Sequence, residues 1–101
     1  MLNITKTLDG DVLTIALDGR LDTTTASQLE ESVKESIEDV SSVIFDATDL
    51  KYISSAGLRV LMATQKRMGG RGSVVVRNVS DEVMEIFEVT GFVDILTVER
   101  G

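Results

Sequence analysis

The first apolar positions of the chain follow the alternating pattern of β-strands. Residues 2–8 and 12–18 are rich in β-branched residues, and every second residue from Leu13 to Leu17 is apolar. An Asp-Gly-Asp sequence at 9–11 separates these two stretches and has the composition of a tight turn. The pattern therefore predicts an N-terminal pair of strands joined as a hairpin.

From residue 26 the apolar positions recur every three or four residues, which is the spacing of an amphipathic helix. The apolar members of this stretch are Ala26, Leu29, Val33, Ile37 and Val40. Acidic and basic residues occupy the positions between them, and Thr25 with Gln28 has the spacing of a capping box. We expect a helix over about residues 25–39.

Short apolar runs of strand length occur three more times along the chain. The runs at 42–47 and 73–77 are nearly continuous, which is typical of strands covered on both faces, and 94–99 resembles a last strand. The first two are expected to be interior to the sheet and parallel to each other. Helical spacing separates the runs, over 56–68 and 80–91. Gly69 and Gly91 are the predicted helix stops, and Ser80 is the predicted N-cap of the second of these helices.

The resulting order of elements, β-β-α-β-α-β-α-β, predicts an α/β fold. It should contain a mixed, mostly parallel sheet with an N-terminal antiparallel hairpin and βα crossover helices. A length of 101 residues with 43% hydrophobic residues suits a single domain spanning 1–101. In sheets of this kind, functional residues usually lie at the carboxyl ends of the strands.

The residue types that the chain lacks exclude several kinds of chemistry. There is no histidine and no cysteine, which excludes Ser-His-Asp and Cys-His nucleophilic sites, His-ligated zinc and thiolate metal sites. A formal net charge of −7 opposes binding to a nucleic acid backbone. No apolar run approaches the ~20 residues that span a bilayer, and the first ten residues do not resemble a signal peptide. We expect a cytoplasmic protein whose partner is another protein.

Four acidic residues follow predicted strands and are candidates for a magnesium site. Asp18 and Asp22 come after the second strand, and Asp46 and Asp49 come after the third. Receiver domains use such acids to hold magnesium at a phospho-acceptor, together with a lysine near the end of a late strand. No lysine is placed there, so we expect these acids to form turns and caps and predict no metal.

The glycine-rich stretch "MGGRGS" at 68–73 invites comparison with a phosphate-binding loop. Such a loop follows a strand and opens a helix, whereas this stretch follows a helix and precedes a strand. It also lacks the Gly-Lys-Ser/Thr sequence. A helix C-cap and a turn are the expected structure.

The stretch "DLKYISSAGLRVLM" at 49–62 places two serines at the predicted start of a helix. Ser54 can cap the helix by accepting a hydrogen bond from the N–H of Ala56 or Gly57, which puts Ser55 at the first helical position, facing solvent. Gly57 would let another backbone approach closely. A phosphate at Ser55 would meet unpaired N–H groups and the positive end of the helix. The residues alone leave two interpretations open, an ordinary turn and a phosphate-carrying site.

Two motifs make the chain similar to a known family. "DLKYISSAGLRVL" resembles the signature of STAS domains, in particular of bacterial anti-sigma factor antagonists, and "GRLDTTTA" at 19–26 resembles their Gly-x-Leu-Asp segment. The order of elements also agrees, so the resemblance covers essentially the whole chain. It implies a STAS fold and a non-catalytic regulator of sigma-factor-dependent transcription that uses no cofactor.

The resemblance also implies a mechanism, partner switching. An unphosphorylated antagonist binds an anti-sigma factor that is also a serine kinase, is released when the kinase phosphorylates it, and is reset by a PP2C-type phosphatase. By position the phosphoacceptor is Ser55, and the implied partner-binding residues are Asp22, Ser54, Ser55, Ala56 and Gly57. Ser54 stands where the family has aspartate, and Ala56 stands where it has a second hydroxyl residue.

Two other functions remain as alternatives. One is a STAS domain that is never phosphorylated and serves as an assembly module in a complex unrelated to transcription. The other is a small nucleotide-binding or receiver-like domain, against which the missing lysine and phosphate loop count.

Overall fold

The strands of the protein lie side by side in the order in which the chain makes them. The computed structural model describes residues 2–38, 40–69 and 72–101. The strands are β1 (Leu2–Asp9), β2 (Val12–Leu21), β3 (Ser42–Ile53), β4 (Ser73–Val79) and β5 (Thr97–Arg100). The helices are α1 (Ala26–Ser36), α2 (Ser55–Met68) and α3 (Asp81–Thr90), followed by a short 3₁₀ helix at Phe92–Asp94.

The pairing of the strands confirms the expected mixed sheet. β1 and β2 are antiparallel and pair from Leu2 opposite Gly19 to Asp9 opposite Val12, so the hairpin forms around the predicted turn. All other neighbours are parallel. β3 and β4 are both interior, as predicted, because the sheet order is β1-β2-β3-β4-β5.

The core lies on one face of this sheet. Alternate strand residues such as Ile15, Phe45 and Val76 are buried there, and they form one cluster with the apolar sides of all three helices. The prediction that the 42–47 and 73–77 runs are covered on both faces is wrong, since Ser73, Val75 and Arg77 of the second run are exposed or half-buried. Ser42, Ile44 and Asp46 alternate with the buried positions and are only half-buried. The three helices bury their apolar sides in this core, and the residues on the other face of β3 and β4 stay partly or fully exposed.

The start of α1 differs from the predicted capping box. Thr25 is the N-cap by position, but its side chain makes no cap hydrogen bond. Its hydroxyl donates to the Arg20 carbonyl at 2.8 Å and accepts from the Asp22 N–H at 2.9 Å. The Gln28 amide donates to the carbonyl of Leu2 at 3.0 Å. Both side chains therefore tie the helix to the sheet, and these longer-range bonds replace the local one.

The ends of α2 and α3 follow the sequence more closely. Ser80 accepts a hydrogen bond from the Val83 N–H at 3.3 Å, and Gly91 ends α3 with φ of 80°, in the left-handed region that favours glycine. α2 ends before Gly69 as predicted. The last strand is shorter than the predicted 94–99 run, because the chain first forms the 3₁₀ helix and pairs with β4 only from Thr97.

β2 and β3 are longer than the runs predicted from the sequence. The later residues escape prediction because shifts in the pairing register interrupt the alternation of apolar and polar side chains. The shifts lie between Ala16 and Asp18 and between Gly19 and Arg20. The alternation of apolar side chains fades there, although the backbone continues to pair as far as Ile53. Three of the four candidate acids, Asp18, Asp46 and Asp49, consequently lie within strands, which corrects their predicted placement after strand ends.

Asp46 holds β3 to β4 through a small hydrogen-bond network. Its carboxylate accepts from the Thr48 hydroxyl at 2.6 Å, the Thr48 N–H at 3.1 Å and the Asn78 amide at 3.2 Å. Asn78 adopts a left-handed backbone with φ of 61°, which asparagine tolerates better than most residues. The Thr48 hydroxyl, aided by the Asn78 amide, lowers the pKa of Asp46 below its ordinary value of 3.8.

α2 packs closely on the sheet because it carries Gly57 at the contact. A Cβ atom on Gly57 would lie 2.6 Å from Cγ of Leu21 and 3.0 Å from Cγ1 of Ile53. Both neighbours are buried side chains, so the close contact at Gly57 is with side chains of β2 and β3. The prediction that another backbone approaches Gly57 is wrong. No helix among the described residues is long and apolar enough to cross a membrane.

We expect Gly57→Ala to destabilise the protein although alanine is the better helix former. The helix gains about 1 kcal/mol from alanine, but overpacking a filled core costs about 1–3 kcal/mol. The contact of 2.6 Å with a branching carbon of Leu21 places the cost near the upper end, so urea titration should show a net loss of about 1 kcal/mol or more. Ala63→Gly, at an exposed position of α2, measures the intrinsic difference between the two residues. A more stable Gly57→Ala protein would contradict this packing.

The Asp46 network predicts part of the acid sensitivity of the protein. A carboxyl whose pKa is lowered by folding stabilises the folded state above its unfolded pKa, and this contribution is lost as the pH falls through the folded pKa. Asp46→Asn should therefore reduce the loss of unfolding free energy on acidification below about pH 4, since the pKa of Asp46 lies below 3.8. Asp49→Asn makes the same charge change at an exposed position of β3 and is the control for the change in net charge, against which the dependence of unfolding free energy on pH in Asp46→Asn is compared. Identical slopes in the two variants would show that the network does not stabilise the carboxylate.

Candidate functional site

The two serines at the start of α2 have different structural roles. Ser54 is the N-cap, with φ of −95° and ψ of 173°, and its hydroxyl accepts from the Gly57 N–H at 3.3 Å. Its carbonyl accepts the first helical hydrogen bond, from the N–H of Leu58 at 2.9 Å. Ser54 is half-buried. The predicted capping role of this serine is confirmed.

Ser55 is the first residue of α2 and is exposed to solvent. Within the described parts of the chain, no hydrogen bond engages its hydroxyl. The backbone N–H groups of the first helical turn lie at the positive end of the helix, where a negative charge is stabilised. The Ser55 hydroxyl is thus accessible, and the local field accommodates an anionic group attached to it.

The loop after β2 lies beside the start of α2 because a backbone hydrogen bond joins them. The N–H of Ser54 donates to the carbonyl of Leu21 at 2.8 Å, and Asp22 is the next residue after Leu21. The residues 53 and 21 are also partners in the β2–β3 register. The chain positions of the two family-like motifs are far apart, and the parallel pairing of β2 with β3 brings them to the same edge of the sheet.

Asp22 shapes its own loop with its carboxylate. Oδ1 accepts from the Thr24 hydroxyl at 2.8 Å, the Thr24 N–H at 3.0 Å and the Thr25 N–H at 3.2 Å. These bonds lower the pKa of Asp22, the Thr24 hydroxyl most strongly. Asp22 therefore carries a negative charge at neutral pH next to the serine pair.

A shallow groove between α1 and α2 begins beside the serines. Ala56 and Arg59 of α2 line it, opposite Ala26 and Glu30 of α1. Ala26 and Ala56 contribute small side chains to this end of the groove. Sequence reasoning missed Arg59, although its position four residues after Ser55 marks it as a neighbour on the same helical face.

An aromatic contact lies on the same pair of strands just before the site. The guanidinium of Arg20 lies 4.5 Å from the centre of the Tyr52 ring, and the two residues are register partners in β2 and β3. A cation over an aromatic ring at this distance is a favourable arrangement. It fixes the exposed Arg20 side chain near the loop of Asp22.

The candidate acids do not come together as metal ligands. Over residues 2–38, 40–69 and 72–101 no group of three acidic side chains is close enough to hold a metal ion. Asp18 pairs with Asp49 in the strand register. Asp22 accepts hydrogen bonds in its own loop, and Asp46 accepts them from Thr48 and Asn78 within the sheet. The structure supports the predicted turn-forming role for Asp22, whereas Asp46 lies within β3 and its predicted turn role is wrong.

The glycine-rich stretch lies only partly within the described residues. Gly69 follows α2, and its N–H donates to the carbonyl of Gln65, which is a C-cap as predicted. The predicted turn at residues 70 and 71 lies outside the described residues.

Comparisons with known proteins identify the family of this chain and match its fold. The family model of the STAS domain matches residues 3–100. BtrV of Bordetella bronchiseptica, a candidate anti-sigma factor antagonist by its name, is 34% identical over 96 residues, which cover 93% of this chain and 82% of BtrV.

Solved structures share the fold at lower identity. An anti-sigma factor antagonist from Mycobacterium paratuberculosis superposes with a TM-score of 0.90 at 19% identity, covering 100% of this chain and 87% of that one. The anti-sigma factor antagonist SpoIIAA in its unphosphorylated form gives 0.75 at 15% identity, covering 100% of this chain and 88% of its own. The phosphorylated form of SpoIIAA, from Bacillus, gives 0.72 at 17% identity, with coverage of 97% and 90%. With nearly all of its residues matched by the family model, this chain belongs to the STAS domain family.

Proposed function

We propose that this protein is an anti-sigma factor antagonist that works by partner switching through Ser55. The observation that carries the proposal is that the two serines have different structural roles. Ser54 caps α2, and this leaves an exposed Ser55 hydroxyl at the first helical position beside the charged Asp22. The name of BtrV and the two states of SpoIIAA support the same function for this member of the family.

In the proposed cycle the protein is a substrate and a binding partner, with no catalysis of its own. The unphosphorylated form binds an anti-sigma factor that has serine kinase activity, and the sigma factor is freed. The kinase then transfers the γ-phosphoryl group of ATP to the Ser55 oxygen. A new P–O bond forms at Ser55 Oγ, the bond to ADP breaks, and the hydroxyl proton passes to the kinase or to water. A PP2C-type phosphatase hydrolyses the phosphate ester with water and restores the hydroxyl.

The partner-binding surface in this proposal is the area around the start of α2. Asp22 and Ser55 present polar groups, while Ser54, Ala56 and Gly57 shape the backbone between them. The half-buried Ala56 continues the surface toward the α1–α2 groove, and the buried Gly57 keeps α2 against the sheet. These residues approach one another because the ends of β2 and β3 coincide.

Release can follow from refolding of the antagonist or from a local change of charge. Phosphoserine adds about −1.5 to −2 charges at neutral pH. At the N-terminus of α2 this charge is stabilising by about 0.3–1 kcal/mol, so the helix should not melt. In a docked interface the same group must be desolvated near Asp22, at a cost of several kcal/mol. Because the desolvation cost exceeds the stabilisation at the helix end, we expect release by local repulsion with the fold intact.

The acceptor assignment predicts the behaviour of Ser55→Ala. This variant should take up no phosphate from the cognate kinase and ATP, yet still bind the anti-sigma partner, because only the hydroxyl is lost from an exposed position. Radiolabel transfer and binding by calorimetry measure the two properties.

Ser54→Ala is the matched control for this experiment. It removes the N-cap hydrogen bond and should cost about 1 kcal/mol of stability, but it should leave phosphate uptake in place. Phosphate mapped to Ser54, or uptake that persists in Ser55→Ala, would refute the assignment. A protein that binds its partner but accepts no phosphate would instead be an assembly module.

The release mechanism predicts a large change in binding without a change in fold. Phosphorylated protein should keep its circular dichroism spectrum and melt at the same temperature or slightly higher. Partner affinity should fall at least about a hundredfold, which is about 2.8 kcal/mol and within the desolvation cost above. Faster amide exchange across α2 after phosphorylation would show that the helix loosens and that refolding is the route.

A further inference from the structure

Arg59 is an exposed cation one helical turn after Ser55. It lies at the mouth of the α1–α2 groove, near Thr23 and Ala56. The ion pairs within the described ranges use Lys34, Arg77 and Arg100, and none of them includes Arg59. The position of this arginine is therefore not explained by an ion pair that stabilises the fold.

The spacing of Arg59 from Ser55 brings their side chains to the same face of α2. Residues four apart on a helix have Cβ atoms about 5–6 Å from each other. Helical side chains lean toward the N-terminus of the helix, so an arginine at position 59 is long enough to reach the first turn of α2, where Ser55 lies. An acidic group that precedes a basic one by four residues is the more favourable order for such a pair.

We propose that Arg59 binds the phosphate of phosphorylated Ser55 within the same chain. The inference rests on the proposed phosphorylation of Ser55. In this form the Arg59 guanidinium donates two N–H groups to phosphate oxygens, the geometry for which its planar fork is suited. What identifies the site is an arginine at the correct spacing that has no ion pair among the described residues, since the helix end by itself attracts any anion weakly.

This intramolecular pair would make phosphorylation change the surface in two ways. A dianion appears at the start of α2, and at the same time a cation is withdrawn from the mouth of the groove. A partner carboxylate that pairs with Arg59 in the unphosphorylated complex then loses its counter-ion to the phosphate. Glu30 lies on the opposite side of the groove, where Lys34 is its ion-pair partner at 4.0 Å.

The test uses the full chain with phosphoserine incorporated at position 55 by genetic encoding, so that no kinase is required. The titration of the phosphate is followed by ³¹P NMR through its second pKa, which is near 6 for free phosphoserine. A bound guanidinium stabilises the dianion and lowers this pKa. Arg59→Gln should therefore raise the midpoint by roughly 0.3 unit or more, as expected for an i,i+4 ion pair with a doubly charged acid.

Lys66→Gln provides the matched control. Lys66 is exposed in the last turn of the same helix, and its loss changes the net charge by the same amount. This variant should leave the midpoint within error of the parent. The Nε–H resonance of Arg59 should also shift between the serine and the phosphoserine proteins. Equal midpoints in Arg59→Gln and Lys66→Gln, with an unmoved Arg59 resonance, would overturn the inference.

The failure of this inference can be told apart from failure of the proposed function. One outcome is that a cognate kinase phosphorylates Ser55 and releases the partner, while Arg59→Gln leaves the ³¹P titration midpoint unchanged. In that case the partner-switching function stands and the intramolecular pair is wrong. If no kinase acts on Ser55 but Arg59→Gln raises the titration midpoint of the encoded phosphoserine, the intramolecular pair is correct and the switching function is wrong.

Discussion

The candidate site depends on one junction, the hydrogen bond from the N–H of Ser54 to the carbonyl of Leu21 at 2.8 Å. It joins the start of α2 to the end of β2, two points that are far apart in the sequence. Gly57 makes the junction possible, because any Cβ atom there would collide with the buried Leu21 side chain. Once the junction forms, the loop of Asp22 and the serine pair can only lie together.

The sequence predicts the parts of this arrangement that depend on local chemistry. Ser54, Ser80 and Gly91 fulfil their predicted capping roles because a cap is decided by a few neighbouring backbone groups. The hairpin was predictable because its apolar residues alternate on the face that it buries. The two interior strands were predictable from their apolar runs, although these runs overstate the burial of the second face. Ser55 could be placed at the first helical position for the same reason.

The remaining features depend on contacts between distant segments. Thr25 and Gln28 have the spacing of a local cap, but their side chains bond to the carbonyls of Arg20 and Leu2. The ends of β2 and β3 were underestimated because register shifts break the alternation on which a strand prediction relies. The groove beside Arg59 belongs to two helices at once, so no single stretch of sequence contains it.

The order of the strands has a consequence for how the chain acquires its structure during synthesis. Among the described residues, every strand after β1 pairs with the strand made immediately before it, and no pairing spans more than one α-helix. Each new element therefore finds its neighbour already present as the ribosome extends the chain, and the entropy lost in closing each loop stays small. Both halves of the serine junction lie in the first six-tenths of the sequence, so this surface can assemble before the last strand is translated.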